Sequence, residues 1–158
     1  MTFELAGDLY GLDVRRVQEV LADQAVTPVP LAPPEVAGLV NLRGQVVTAL
    51  ELRRRLGLPA RPRTSGAVAP HVVVRDGEDV VALVVDALGD VVEVADDDVQ
   101  PPPDTLTGPL ADLVTGACPL PDRLLLPLDV DALVAPAGTA PSRPAGPSRT
   151  DPPRRTRP

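Results

Sequence analysis

The sequence predicts an all-β body, two small barrels of about five strands each with short helical turns between strands. Three observations carry this. The core has to be built from Val and Leu, because Phe3 and Tyr10 are the only aromatics in 158 residues, and β-branched side chains suit a pleated surface. Apolar runs recur around glycine-containing turns, as hairpins require. There is also a faint internal repeat. An offset of 78 places Gly38 on Gly116, Leu42 on Leu120, Leu50 on Leu128 and Glu51 on Asp129; an offset of 71 places Leu12 on Leu83, Val14 on Val85 and Val17 on Leu88. A chain of this size buries roughly two-thirds of its unfolded surface, enough for a stable core.

Taken in order, Thr2 to Ala6 and Leu9 to Val14 alternate apolar and polar residues around Gly7-Asp8, the pattern of two short strands. The first begins almost at Met1, so it is either short or clipped by a misplaced start. From Arg15 to Leu21 the period changes. Val14, Val17, Gln18 and Leu21 have helical spacing, predicting a two-turn helix with Asp13 as its N-cap. Thr27 to Pro34 carries four prolines and is an extended connector, because proline cannot donate to a ladder. Gly38 to Leu52 is the clearest hairpin, with Arg43-Gly44 at its tip. Leu52 to Leu58 is a short solvated helical turn stopped by Gly57 and Pro59, and Arg61 to Pro70 is a polar loop. His71 to Val74 and Val80 to Val85 form a second hairpin around Asp76-Gly77-Glu78-Asp79. Val91 to Val94, Val114 to Ala117 and Arg123 to Leu128 are further strands, and Val130 to Val134 a last short element. Residues 136–158 hold seven prolines and little apolar surface, so they are expected to be a disordered Pro/Arg-rich tail.

Charge and composition exclude several classes of function. All fifteen basic residues are arginine; residues 1–135 carry 10 Arg against 21 acids, and residues 136–158 carry 5 Arg against Asp151 alone. A body of net charge −11 lacks the basic footprint of sequence-independent nucleic-acid binding, and with two aromatics it has no stacking platform. Cys118 and His71 are each the only residue of their kind, so no internal disulfide and no Cys/His metal cluster can form. The acids Asp96, Asp97 and Asp98 lack the glycine and distal glutamate of an EF-hand loop. His71 opens a Val-rich strand and Cys118 sits in an apolar context with no base beside it, so both read as structural. No phosphate loop or membrane-length apolar run occurs, and the residues after Met1 are not expected to form a signal peptide. The expectation is a cytoplasmic binding module, without enzymatic activity or cofactor.

The residues Tyr10-Gly11-Leu12-Asp13-Val14-Arg15-Arg16-Val17-Gln18-Glu19-Val20 and Val36-Ala37-Gly38-Leu39-Val40-Asn41-Leu42-Arg43-Gly44 resemble the CheW-like coupling proteins of bacterial chemotaxis. The likeness continues through Val46 to Arg53, Val80 to Asp86, Gly116 and Arg123 to Leu133, covering about 1–135. Glu51 departs from the usual Asp, and Pro127 interrupts the last strand. The resemblance implies two SH3-like barrels sharing a core in a 1–135 domain. It implies an adaptor that joins the regulatory domain of a chemotaxis histidine kinase to the cytoplasmic tips of methyl-accepting receptors, at receptor arrays, meeting the membrane only through those receptors. An adaptor of the same fold serving another two-component output, such as pilus motility, is the alternative. The receptor-contacting region maps onto Val17, Glu19, Gly38, Asn41, Arg43 and Gly44, leaving the kinase-contacting face unassigned. Glu19 and Arg43 are further expected to form a salt bridge tying their two segments together, and Gly38 either to leave room for a partner or to satisfy backbone geometry.

Overall fold

The structure, a computed structural model, describes residues 1–61 and 68–135. The chain begins with strands β1 (Thr2–Leu5) and β2 (Asp8–Gly11), followed by a 3-10 turn (Val14–Arg16), β3 (Val17–Gln24), β4 (Val36–Leu42), β5 (Gln45–Glu51) and helix α1 (Leu52–Arg55). The remainder holds β6 (Ala69–Asp76), β7 (Asp79–Val84), β8 (Ala87–Leu88), a second 3-10 turn (Asp96–Asp98), α2 (Pro109–Leu113), β9 (Cys118–Pro119), β10 (Leu124–Pro127) and α3 (Val130–Val134). They form two five-stranded sheets ordered β8-β1-β2-β10-β9 and β3-β6-β7-β5-β4. Each curls on itself. The Thr27–Leu39 bridge closes the second sheet, and the Gln100–Ala117 bridge stands in the same place in the first. The result is two SH3-like barrels.

The faint sequence repeat is a structural one. β1 and β2 pair as Thr2↔Gly11 through Leu5↔Asp8, and β6 and β7 pair as Val73↔Ala82 through Asp76↔Asp79, 71 residues on. The parallel pair Pro127↔Gly11 answers Ala49↔Ala82, and Leu125↔Cys118 answers Val47↔Val40, at offsets of 71 and 78. The two repeats have exchanged their leading hairpins. β1–β2 sit with β8, β9 and β10 from the second half of the chain, while β6–β7 sit with β3, β4 and β5 from the first.

That exchange explains the shared core. Phe3, Leu5, Tyr10 and Leu126 of one sheet pack with Val72, Val74, Leu83 and Leu52 of the other half in one cluster. Smaller clusters fill each barrel, Val40, Val47, Val73 and Val84 in the second and Leu9, Cys118 and Leu125 in the first. Phe3 and Tyr10 stack with ring centroids 6.3 Å apart.

Four sequence expectations change. The helix expected over Arg15 to Leu21 is the strand β3, preceded by a single 3-10 turn that Asp13 does cap, accepting from the Arg15 amide. Val17, Glu19 and Leu21 point inward and Gln18 and Val20 outward. An inward glutamate breaks the apolar alternation and left a false helical spacing. Val20, on the outward side of this strand, is 43% exposed. Val91 to Val94 form no strand, and Val114 to Ala117 contribute only the bridges Val114–Leu128 and Gln100–Ala117. α1 is not merely solvated: Arg55 donates to the carbonyls of Leu133, Ala132 and Ala135, anchoring it on α3. The expected tail lies outside the described residues, as do residues 62–67 of the expected polar loop.

Candidate functional site

The Arg43-Gly44 tip is a two-residue turn with both φ angles positive, 51° and 85°. This is the turn whose twist matches that of the flanking strands, and it normally takes Asn-Gly. Here an arginine accepts the strained first position. The side chain of Asn41 steadies the turn by accepting from the Gly44 amide at 2.9 Å. The turn places Arg43 beyond the end of β4, where its Nη2 lies 2.8 Å from Glu19 Oε2 on β3. β3 and β4 are the outermost strands of their sheet, so the pair spans the seam where the barrel closes. Glu19 keeps only 16% of its side chain exposed, whereas Arg43 keeps 83%. An arginine this exposed contributes at most about 1 kcal/mol through one ion pair. The other Glu19 oxygen, Oε1, is buried with no hydrogen-bond partner among the described residues.

The expected Glu19–Arg43 bridge is therefore present, and Asn41 and Gly44 belong to the same turn. Val17 is half-buried and packs on the shared core, one bulge before Glu19. Apolar area flanks the ion pair on the outer surface, from Val20 next to Glu19 and from Val46, 63% exposed, opposite Asn41. The sequence did not single out these two valines; their outward direction depends on the register of β3 and β5.

Gly38 is different. Its φ is +148°, and a Cβ built there would stand 2.1 Å from the Thr27 carbonyl oxygen and 2.8 Å from Val26 Cγ1. The space is filled by the protein's own connector. Thr27 and Leu39 exchange both backbone hydrogen bonds across it, at 2.9 and 2.8 Å. Of the two roles open to Gly38, the structure shows barrel closure.

A second polar centre, unread in the sequence, joins the two barrels. Asp86 accepts from Arg53 Nε and Nη2, from Arg61 Nη2 and from the Ala6 amide in the β1–β2 turn. Burial alone would raise its carboxyl, but the Arg53 bonds and the Ala6 amide outweigh that and hold it below its ordinary value. Beside it, burial pushes the Glu51 carboxyl upward, and Glu51 Oε1 and Arg61 Nε are buried with no hydrogen-bond partner among the described residues. Arg53 and Asp86 lie 33 residues apart with no shared motif, so only the fold could bring them together.

His71 and Cys118 are both buried, as expected. The His71 ring shares its Nδ1 hydrogen with the Ala69 carbonyl at 2.8 Å, and burial depresses its pKa. Burial raises the Cys118 thiol. Among the described residues no group of three His, Cys, Asp or Glu side chains is placed to hold a metal ion, and no helix is long and apolar enough to cross a membrane.

Comparison with known proteins bears on this geometry. The family model for the CheW-like domain matches residues 1–137. The chemotaxis protein CheW of Treponema pallidum is 31% identical over 135 residues, covering 84% of this chain and 79% of that protein. The chemotaxis protein CheW of Klebsiella aerogenes is 28% identical over 135 residues, covering 85% and 80%. Among solved structures, the scaffolding protein TtCheW from Thermoanaerobacter tengcongensis is similar with a TM-score of 0.73 and 28% identity, over 88% of this chain and 93% of that one.

Proposed function

This chain belongs to the CheW-like domain family, and from that premise we propose that it is a chemotaxis adaptor coupling methyl-accepting receptors to a histidine kinase. It works as a scaffold. By holding both partners it makes a shift in the receptor bias the kinase, a coupling free energy that is typically about 1–3 kcal/mol. Its partners are the cytoplasmic tip of a receptor and the regulatory domain of a kinase, and its place in the cell is the cytoplasmic receptor array.

The observation that carries the receptor-binding reading is the Arg43–Glu19 pair across the barrel seam. In this reading Arg43 and Glu19 present a fixed charge pattern, Asn41 and Gly44 hold the turn that places it, and Val17 orients β3 from below. Val20 and Val46 add apolar area for a helical receptor hairpin, the helix-in-groove mode. Gly38 acts indirectly, by keeping the seam closed.

The test is a binding assay of the purified protein against a receptor signalling tip and a kinase regulatory domain. Binding to both at tens of micromolar or tighter is expected, on the order of 6 kcal/mol of association free energy. A folded protein that binds neither would end the adaptor reading. A double-mutant cycle with Glu19→Ala and Arg43→Ala on receptor binding tests the site; strictly additive losses would remove the pair from it.

A further inference from the structure

Three polar atoms of the second barrel are buried with no hydrogen-bond partner among the described residues: Glu51 Oε1, Arg61 Nε and His71 Nε2. Strand register and one ion pair bring them to the same end of the barrel. Val84 on β7 pairs with Glu51 on β5 and with His71 on β6, so the three side chains stand in one row. Side chains of a row share a face, and alternate residues along each strand return to it. Val84, Val47 and Ala49 on β5, and Ala69 and Val73 on β6 all fill this barrel, so Glu51 and His71 point inward as well. β5 and β7 end at this row. Arg61 lies over it, its Nη2 donating to the Val85 carbonyl at 2.9 Å and to Asp86 Oδ1 at 2.6 Å.

Each atom has a fixed role. A carbonyl only accepts, so the 2.8 Å contact between His71 Nδ1 and the Ala69 carbonyl places the ring hydrogen on Nδ1. Burial, with the Arg61 charge adding to it, holds the His71 pKa below its ordinary value. The ring is therefore neutral at neutral pH, and Nε2 offers a lone pair. Glu51 Oε1 also accepts, and Arg61 Nε donates. Two acceptors and one donor are the complement of one water molecule, and buried waters make about three hydrogen bonds of this kind. Charge selects the same guest. Arg53 and Arg61 stand against Asp86 and Glu51, so the local charges balance and call for neither a cation nor an anion. The Glu51 carboxyl is available because it does not cap α1, whereas Asp129, its shorter counterpart in the other half, caps α3.

We propose that Glu51, His71 and Arg61 hold one ordered water at the end of the second barrel, and that this water wires the barrel interior to the joint between the barrels. Through it His71 on β6 connects to Arg61, and Arg61 donates to Asp86. Asp86 in turn accepts from the Ala6 amide in the β1–β2 turn of the other barrel. One polar chain thus runs from the interior of one barrel to the leading hairpin of the other. The site does not involve the Arg43–Glu19 pair and does not depend on the adaptor reading.

His71 is the only histidine in the chain, so NMR of the nitrogen-labelled full-length protein reads its ring without ambiguity. At neutral pH the ring is expected in the Nδ1–H form, with Nε2 unprotonated and hydrogen-bonded. Selective inversion of the solvent signal should give cross-relaxation to the His71 ring protons, with the sign of a water that tumbles with the protein. Glu51→Met keeps the bulk of the side chain and removes one acceptor. In that variant the water signal at His71 should be lost while the Nδ1–H form persists, because Ala69 holds it. Asp86→Asn should shift the Nε2 resonance through Arg61. If Glu51→Met does not fold, the measurements on the unmodified protein decide alone. A ring in the Nε2–H form, no cross-relaxation from water, or a water signal unchanged in Glu51→Met would overturn the proposal. So would an Nε2 resonance unmoved in Asp86→Asn, or a proton of residues 62–67 against Nε2 in place of water.

Discussion

The two barrels share a topology and differ in how their seams close. The second is closed by an eight-residue β6, flanked along its length, and by a glycine, Gly38, pressed against the Thr27 carbonyl. The first has the four-residue β1, the two-residue β8 and, among the described residues, no backbone hydrogen bond at Val91–Val94. A Cβ built at its corresponding glycine, Gly116, would stand 2.9 Å from the Gln100 carbonyl oxygen and 2.7 Å from Val99 Cγ1, the tip of a side chain. The same plan thus gives one barrel a seam closed against backbone, where the receptor site is proposed, and gives the other a seam closed partly against a side chain. Repetition of topology therefore does not carry repetition of the closing contacts.

The contrast can be broken most directly at the two closing glycines. Gly38→Val should cost about 3 kcal/mol or more, from positive-φ strain added to a clash with backbone. Gly116→Val, whose neighbour includes a side chain that can turn away, should cost less. Urea unfolding of both variants checks this, and equal losses would show that the barrels close equally tightly.

Next in size is the joint between the barrels. Asp86→Asn removes the carboxylate that two arginines share, and we expect a loss of about 2 kcal/mol, less than for a fully buried pair because 19% to 25% of each of these side chains stays in water. Since the folded carboxyl sits below its ordinary value of 3.8, its contribution is present above that pH and is lost as pH falls through the depressed value. Stability of the unmodified protein should therefore fall in acid more steeply than that of Asp86→Asn. Parallel pH profiles would remove Asp86 as the cause.

A smaller effect sharpens the comparison at the helix caps. Asp129 caps α3, accepting from the Asp131 and Ala132 amides, whereas Glu51, its counterpart at an offset of 78, makes no side-chain cap bond to α1. Asp129→Ala should cost about 1 kcal/mol and Glu51→Asp should gain up to about that much. The smallest effect is at the seam: Arg43→Ala should change stability by less than about 1 kcal/mol while weakening receptor binding. Thermal melts run alongside the binding assay separate these outcomes.

The sequence made the three hairpins legible because their tips announce themselves. Gly7, Gly44 and Gly77 all have positive φ, and alternating strands flank them. The Glu19–Arg43 contact was legible too, as opposite charges in the two most distinctive segments. What failed has a common physical origin. β3 was hidden because Glu19 occupies an inward position, and Val91 to Val94 were overread because local pattern describes a strand's willingness to pair and says nothing of whether a partner is there. The five-residue α2, entered through Pro109, is too short to leave a period. Asp86 draws its partners from three separate segments, and only the three-dimensional arrangement reveals them.

The hairpin exchange has a consequence for the integrity of the molecule. Each barrel is stitched from both halves of the chain, so a protease nick between residues 61 and 68 would cut the polypeptide without releasing either barrel. The two fragments would stay clasped through β1–β2 and β6–β7 and would be expected to co-purify, and neither would be a folding unit alone. In an adaptor built this way, a load applied to one barrel is borne by strands threaded through the other.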